Sequence, residues 1–297
     1  MNEACKLYRL KKGYSDKTIK TQNHHIKSFL NWCIKQSITP ENISYTQALQ
    51  FIDHERGRNI TGASVINTIN SIKIYFDYLV YIKAIRHNII RQIKLRNQAK
   101  KALPEILTTR QLGTIYKNFS GIPHWKHKTT RAKLLHERNT VILGLIIYQG
   151  LKSSEIARLE REHVNLKEGN IYIPSSRKSK ARTLKLQSDQ ILPFKTYLEE
   201  TRPIILEKLK SKTPYLFPSK KYSDMIGKIV TQAKMISPEL KDSRQIRTSV
   251  LINWLKTNNI RQVQYMAGHK SIKSTESYRK EDLTDLTKQI ELFHPMK

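Results

Sequence analysis

The stretch GHKSIKSTESY, residues 268–278, sets a histidine and a tyrosine nine positions apart in a lysine-rich chain. A phenol is one of the few side chains that can attack a phosphodiester and hold the product covalently. An imidazole can donate to, or accept from, the reacting oxygens. Nine residues of unbroken α-helix amount to about half a turn beyond two full turns, so His269 and Tyr278 would face opposite ways on one helix. For both to serve one site the chain must bend between them, and Ser271, Ser274 and Thr275 offer places to do so.

Three basic stretches precede this one in the chain. Lys152 stands just after Gly150 at the start of a helical pattern. SSRKSK carries Arg177, Lys178 and Lys180 between two alternating segments. SRQIRTS puts Arg244 and Arg247 at i,i+3 on one helix face. Cations of this kind can stabilise charge developing on a phosphoryl group. Taken singly, each stretch is equally well explained as solvated surface or nonspecific phosphate contact, and one tyrosine among 14 is more often packing than nucleophile. The chain has no Walker phosphate loop, no HExxH, no CxxC and no paired carboxylates suited to two-metal catalysis, so neither a metal nor a cofactor is expected.

The bulk numbers narrow the field. There are 54 Lys and Arg against 24 Asp and Glu, a net charge of +30. Such a field attracts polyanions, and nucleic acid is the obvious one. Residues 1–100 hold 17 basic and 6 acidic side chains and the remainder 37 and 18, so both parts are basic. No apolar run is long enough to span a membrane, and the start, MNEACKLYRL, lacks the apolar core of an export signal. Cys5 and Cys33 have no metal-ligand spacing and form no disulfide framework, which fits a reducing, cytoplasmic setting at the nucleoid.

Periodicity supplies the elements that must hold these residues. Residues 16–36, capped by Ser15, show Ile19, Ile26, Phe29, Leu30 and Cys33 on one face. Further helices are expected near 44–54, 62–82 and 86–97, making a small basic four-helix domain over 1–98. The polar run Asn97–Lys101 and Pro104 mark a linker at 99–104, and Thr108 or Thr109 caps the next helix. In 105–297, HERNTVILGLIIYQG reads as an apolar helix stopped by Gly150. LKSSEIARL starts another with Ser153 as its cap. NIYIP and ARTLKL alternate as short strands around SSRKSK, and helices resume from about 189. The expected fold class is mainly α with a small β-sheet.

The ordered set of basic stretches resembles the tyrosine recombinases, the phage-integrase and Xer-like family. The family's Gly-Leu-Arg-x-x-Glu appears as Gly150-Leu151-Lys152-Ser153-Ser154-Glu155. Its hairpin lysine falls in SSRKSK, its His-x-x-Arg appears as Arg244 to Arg247, and its Gly-His followed nine residues later by the nucleophile appears as Gly268-His269 and Tyr278. LPEILTTRQL and GYSDKTIKTQNHHIKSFLNW extend the resemblance over nearly the whole chain. It implies an N-terminal SAM-like core-binding domain and a C-terminal catalytic domain of α+β type closing around double-stranded DNA. Tyr278 would form a 3′-phosphotyrosyl link, and Arg247, His269, Lys152 and Arg244 would stabilise charge. The linkage conserves bond energy, so no ATP is required.

Two positions depart from the pattern. Lys152 keeps the charge of the family's arginine but loses its planar fork. Arg244 replaces a histidine and cannot exchange protons near neutral pH. Arg177 lies where a hairpin of common length would place the family's lysine. Lys178 is preferred because an ammonium can release a proton to a leaving oxygen and a guanidinium almost cannot. The resemblance thus points to a site-specific recombinase of a mobile element or Xer-like type, monomer or weak dimer when free and tetrameric in synapsis. A catalytically impaired DNA-binding relative and a type IB-like topoisomerase stay open as alternatives. The last stretch, EDLTDLTKQIELFHPMK, repeats Leu283, Leu286, Ile290 and Phe293 at helical spacing, as a tail helix docking on a neighbouring protomer would.

The charge distribution yields a first prediction. Affinity for duplex DNA should fall steeply with salt, because cations on both parts of the chain displace condensed counterions. A titration at increasing sodium chloride tests this, and affinity that stays flat from low to moderate salt would contradict it.

Overall fold

Helix boundaries follow from capping side chains. The computed structural model describes residues 3–95, 105–123, 129–219 and 221–279. Its chain divides into two compact units, Met1–Ala102 and Leu103–Lys297. The linker expected at 99–104 and the tail helix expected beyond Lys280 lie outside the described residues.

The first unit holds α1 (Glu3–Lys11), α2 (Asp16–Lys35), α3 (Tyr45–Arg56) and α4 (Gly62–Tyr81). The Ser15 hydroxyl accepts from the Thr18 amide to start α2. Ser44 and Gln47 exchange bonds as a capping box ahead of α3, and Thr61 caps α4. Each cap satisfies an amide the first helical turn leaves open. The apolar stripes converge on an aromatic core in which Phe29 meets Phe51 edge-on at 5.1 Å and Phe76 at 5.8 Å. Cys5 and Cys33 are buried free thiols; burial raises both, Cys33 to about 11, so neither is a ready nucleophile.

Four helices are present among the described residues of this unit, with one exchange of membership. The helix expected at 86–97 is a 3₁₀ turn, Ile89–Gln92, while α1 arises in a stretch not assigned to a helix. The side chains of α4 explain the first difference. Asn88 donates to the Lys73 carbonyl and to Asp77, Arg91 pairs with Asp77, and the Lys73 ammonium donates to the Ile93 carbonyl. These bonds pin the segment residue by residue, and a three-residue repeat buries Ile90 and Ile93 together.

The second unit is built around α6 (Thr130–Tyr148), whose Val141–Ile147 run is buried on every side. It packs against α5 (Thr109–Ser120), α8 (Ser188–Thr196), α10 (Tyr222–Ile236) and α11 (Ser243–Thr257). Thr108 caps α5 in a box with Gln111. The short α7 (Ser153–Ile156) follows Gly150, whose φ of +57° ends the preceding segment. Its cap is Lys152 rather than Ser153, because the Glu155 carboxylate reaches back to the Lys152 amide at 2.9 Å. Strands β1 (Val164–Asn165), β2 (Asn170–Ile173) and β3 (Arg182–Lys185) form an antiparallel sheet in the order β1-β2-β3, with Ile171 opposite Leu184 and Ile173 opposite Arg182. β1 had no alternating signal because it is two residues long. After α8 a π-type turn, Tyr197–Thr201, leads into α9 (Arg202–Lys208), and α12 (Ile260–Ala267) follows α11.

Among the described residues no helix is long and apolar enough to cross a membrane. Truncating the ring at the centre of the first unit gives a stability prediction. Phe29 is 1% exposed, and Phe29→Ala should cost about 3–5 kcal/mol through lost burial and an unfilled cavity. Urea denaturation of the whole chain measures it, and an unchanged midpoint would mean the ring cluster does not hold that unit together.

Candidate active site

Arg247 enters from the second turn of α11 and is 7% exposed. Its guanidinium donates to the carbonyl of Gly150, to the carbonyl of Ala267 at 3.0 Å and to His269 Nε2 at 3.3 Å. It lines one cleft with Tyr278. Its hydrogen bonds tie together the turn before α7, the end of α12 and His269. Its Nε–H is buried and has no partner among the described residues.

His269 follows Gly268, which caps α12 with φ +67°. A side chain on Gly268 would stand 2.3 Å from an Arg182 guanidinium nitrogen, so glycine is required there by conformation and by space. The chain then turns through 268–272 and resumes as helix over 273–279. The bend therefore includes Ser271, whereas Ser274 and Thr275 already belong to the helix. It brings the rings of His269 and Tyr278 to 6.0 Å, stacked within 11° of parallel. Burial, followed by the charges of Arg247 and Lys152, lowers His269 to about 4, so the imidazole is neutral near pH 7.

Lys152, Arg244, Arg247 and Tyr278 line one cleft of about 240 Å³ at the N-terminal end of α11. Lys152 is half-buried, and burial followed by the Arg247 charge lowers its ammonium below the usual lysine range. Arg244 is exposed at the mouth. Lys178 is exposed in the β2–β3 loop and close enough for its charge to act on Lys152. That loop is docked beside the histidine: Ser179 pairs with His269 in an antiparallel bridge, and the Lys180 amide donates to the Gly268 carbonyl at 3.0 Å. The hydroxyls of Ser176 and Ser179 close the loop at 2.8 Å.

Two residues that the spacing of basic stretches did not single out underlie this arrangement. Glu155 is 1% exposed and pairs with the fully buried Arg182 at 2.9 Å. It also caps Lys152 and lies 3.9 Å from Arg247. Burial alone would raise its carboxyl, but the Arg182 hydrogen bond and charge outweigh that and leave it lowered. Arg182 donates further to the Met266 carbonyl at 2.7 Å. Strand parity could have revealed it, since Arg182 shares the inward face of ARTLKL with Leu184 and Leu186. Among the described residues no three His, Cys, Asp or Glu side chains cluster as metal ligands.

The chain matches the model of the phage integrase family over residues 105–284, more than half its length. It is 25% identical to the tyrosine recombinase XerD of Staphylococcus saprophyticus, over 99% of this chain and 98% of that protein. It is 24% identical to the tyrosine recombinase XerC of Thermodesulfovibrio yellowstonii, over 97% and 93%. Among solved structures, the Tn1549 transposon integrase in complex with circular intermediate DNA shares the fold at a TM-score of 0.62 and 15% identity, over 93% of this chain and 94% of that one. The XerH site-specific recombinase bound to difH substrate does so at 0.62 and 19%, over 80% and 68%. With this breadth of similarity added to the converging Arg247, His269 and Tyr278, the chain belongs to the phage integrase family and is a tyrosine-type site-specific DNA recombinase.

Proposed function

We propose that Tyr278 is the nucleophile that cleaves and rejoins duplex DNA in the cleft it shares with Lys152, Arg244 and Arg247. The observation that carries this reading is the bond from Arg247 to His269, whose ring stacks on that of Tyr278, beside a cleft that Arg247 and Tyr278 both line. The phenolic oxygen attacks the scissile phosphorus and loses its proton to solvent water as the bond forms. The bond to the 5′-oxygen breaks, and that oxygen takes a proton from Lys178 on the docked loop. Arg247, His269 and Lys152 compensate the charge on the nonbridging oxygens, with Arg244 adding charge at the mouth. The 3′-phosphotyrosyl link keeps the bond energy, and the 5′-hydroxyl of a partner strand reverses the step to reseal the backbone.

The +30 charge supports binding of double-stranded DNA by both the core-binding unit, 1–98, and the catalytic unit, 105–297. The free protein is a monomer or weak dimer that assembles into a homotetramer at synapsis, in the cytoplasm at the nucleoid. The Xer and transposon relatives favour a recombinase of a mobile-element or Xer-like type.

Two outcomes test the chemistry. Tyr278→Phe should retain DNA affinity and lose covalent attachment, read as the absence of adduct on a denaturing gel; an adduct with this variant would move the nucleophile elsewhere. Lys152 should matter through its one ammonium. Losing a charge-assisted hydrogen bond in a water-poor cleft costs about 1.5–3 kcal/mol, or roughly one to two powers of ten in rate. Single-turnover cleavage of a suicide duplex should therefore be slow for Lys152→Ala and for Arg244→Ala, and at least partly preserved in Lys152→Arg. Wild-type rates in Lys152→Ala would remove Lys152 from the site. A wild type that binds its own DNA site and never cleaves it would make the protein a DNA-binding relative instead.

A further inference from the structure

Thr275 is fully buried, and its hydroxyl lies 3.0 Å from His269 Nδ1. The opposite ring nitrogen, Nε2, faces the Arg247 guanidinium at 3.3 Å. A guanidinium only donates, so Nε2 must accept. In a neutral imidazole the proton is then on Nδ1, and the Thr275 oxygen accepts it. A phosphate oxygen reverses the demand. It only accepts, so an imidazole that contacts it through Nε2 must carry its proton there. The ring can meet that demand by gaining a second proton, or by moving its one proton to Nε2 and exposing Nδ1 as a buried acceptor.

The surroundings decide between these routes. The charged and titratable groups facing His269 are Arg247 from α11, Lys152 and Glu155 from α7 and its cap, Arg182 from β3 and Tyr278 from its own helix. Burial opposes a second proton most, and three cations against one carboxylate oppose it further. The neutral ring with Nε2–H is the accessible donor, and its Nδ1 then needs a hydrogen-bond donor of its own. A hydroxyl supplies one by rotating, with no heavy atom moving.

We propose that Thr275 is the positioning residue of His269, a two-way hydroxyl that lets the neutral imidazole act as an acceptor towards Arg247, as observed, and as a donor towards a scissile phosphate. The assignment rests on the phosphotyrosyl reading of the cleft. It adds a residue that touches neither DNA nor the reacting atoms. Thr275 also precedes Tyr278 by three residues on the same helical turn, so the bond that selects the tautomer also fixes the helix carrying the nucleophile.

The test is single-turnover cleavage between about pH 5.5 and 8.5 by full-length wild type, Thr275→Val and Thr275→Ser. The substrate is a suicide duplex built from the DNA fragment the protein protects and links. Valine keeps the shape and removes the hydroxyl; serine keeps the hydroxyl. Thr275→Val should lose about tenfold or more at the alkaline end and regain rate as the pH falls, because only a charged ring can then donate from Nε2. Thr275→Ser should keep the wild-type rate and profile. A Thr275→Val profile superimposable on wild type overturns the proposal, as does a uniform loss at every pH that serine fails to rescue. Nitrogen NMR of ¹⁵N-histidine-labelled wild type, with His269 assigned by difference from His269→Gln, checks the tautomer without any Thr275 variant. An Nδ1–H ring in the free protein near neutral pH is expected, and an Nε2–H ring overturns the proposal. Absence of any wild-type adduct overturns the phosphotyrosyl reading itself, an outcome distinct from failure of the threonine variants.

Discussion

Placing a carboxylate out of water costs several kcal/mol unless its oxygens are matched, and Glu155 is matched on both sides. One oxygen takes the Arg182 guanidinium, and the other takes the Lys152 amide and faces Arg247. The three partners come from β3, the turn before α7 and α11. In a cleft otherwise crowded with cations, this one anion lets the arginines approach each other. It also fixes the Lys152 backbone where its ammonium reaches the cleft. Removing the carboxylate would leave Arg182 buried and uncompensated, so the sheet, the short helix and the arginine of α11 depend on it together.

The same economy continues through Arg182. It reaches from Glu155 to the Met266 carbonyl and lies against Gly268, where no side chain fits. The glycine is left-handed and turns the chain, the β2–β3 loop pairs with the residues after it, and His269 faces inward between Arg247 and Thr275. The histidine and the tyrosine would diverge on a continuous helix. They stack because the left-handed Gly268, packed where no side chain fits beside Arg182, turns the chain just before the histidine.

The departures from the family pattern acquire a physical context here. Lys152 is half-buried among Arg247, Arg182 and Lys178, and burial and those charges together weaken its hold on a proton. A guanidinium would keep its charge in the same place, while an ammonium yields it more readily. Arg244, in place of histidine, stands at the exposed mouth of the cleft, where a permanent charge costs little. The two substitutions thus sit at different depths, one altering the interior of the cleft and the other its rim.

Much of this was written locally. The caps at Ser15 and Thr108, the stop at Gly150 and the alternation around SSRKSK depend on neighbours within a few residues, so the order of helices and the hairpin could be read directly. The ordered basic stretches and the spacing from His269 to Tyr278 were also legible, because chemistry requires particular side chains whatever the fold. Other features depend on contacts across long stretches of chain. Residues 86–97 had helical composition, yet Asp77 and Lys73 of α4 bind them as a 3₁₀ turn. Ser153 looked like a cap, yet Glu155 made Lys152 the cap. Arg182 was not singled out, yet it is buried and joins Glu155 to the end of α12, and Thr275 looked like a bend residue, yet it faces the histidine. The sequence by itself determined which groups could do chemistry and the local elements that carry them. Tertiary structure decided the pairing at the site, because Arg182 finds Glu155 27 positions away and Met266 84 positions away, where no local pattern reaches.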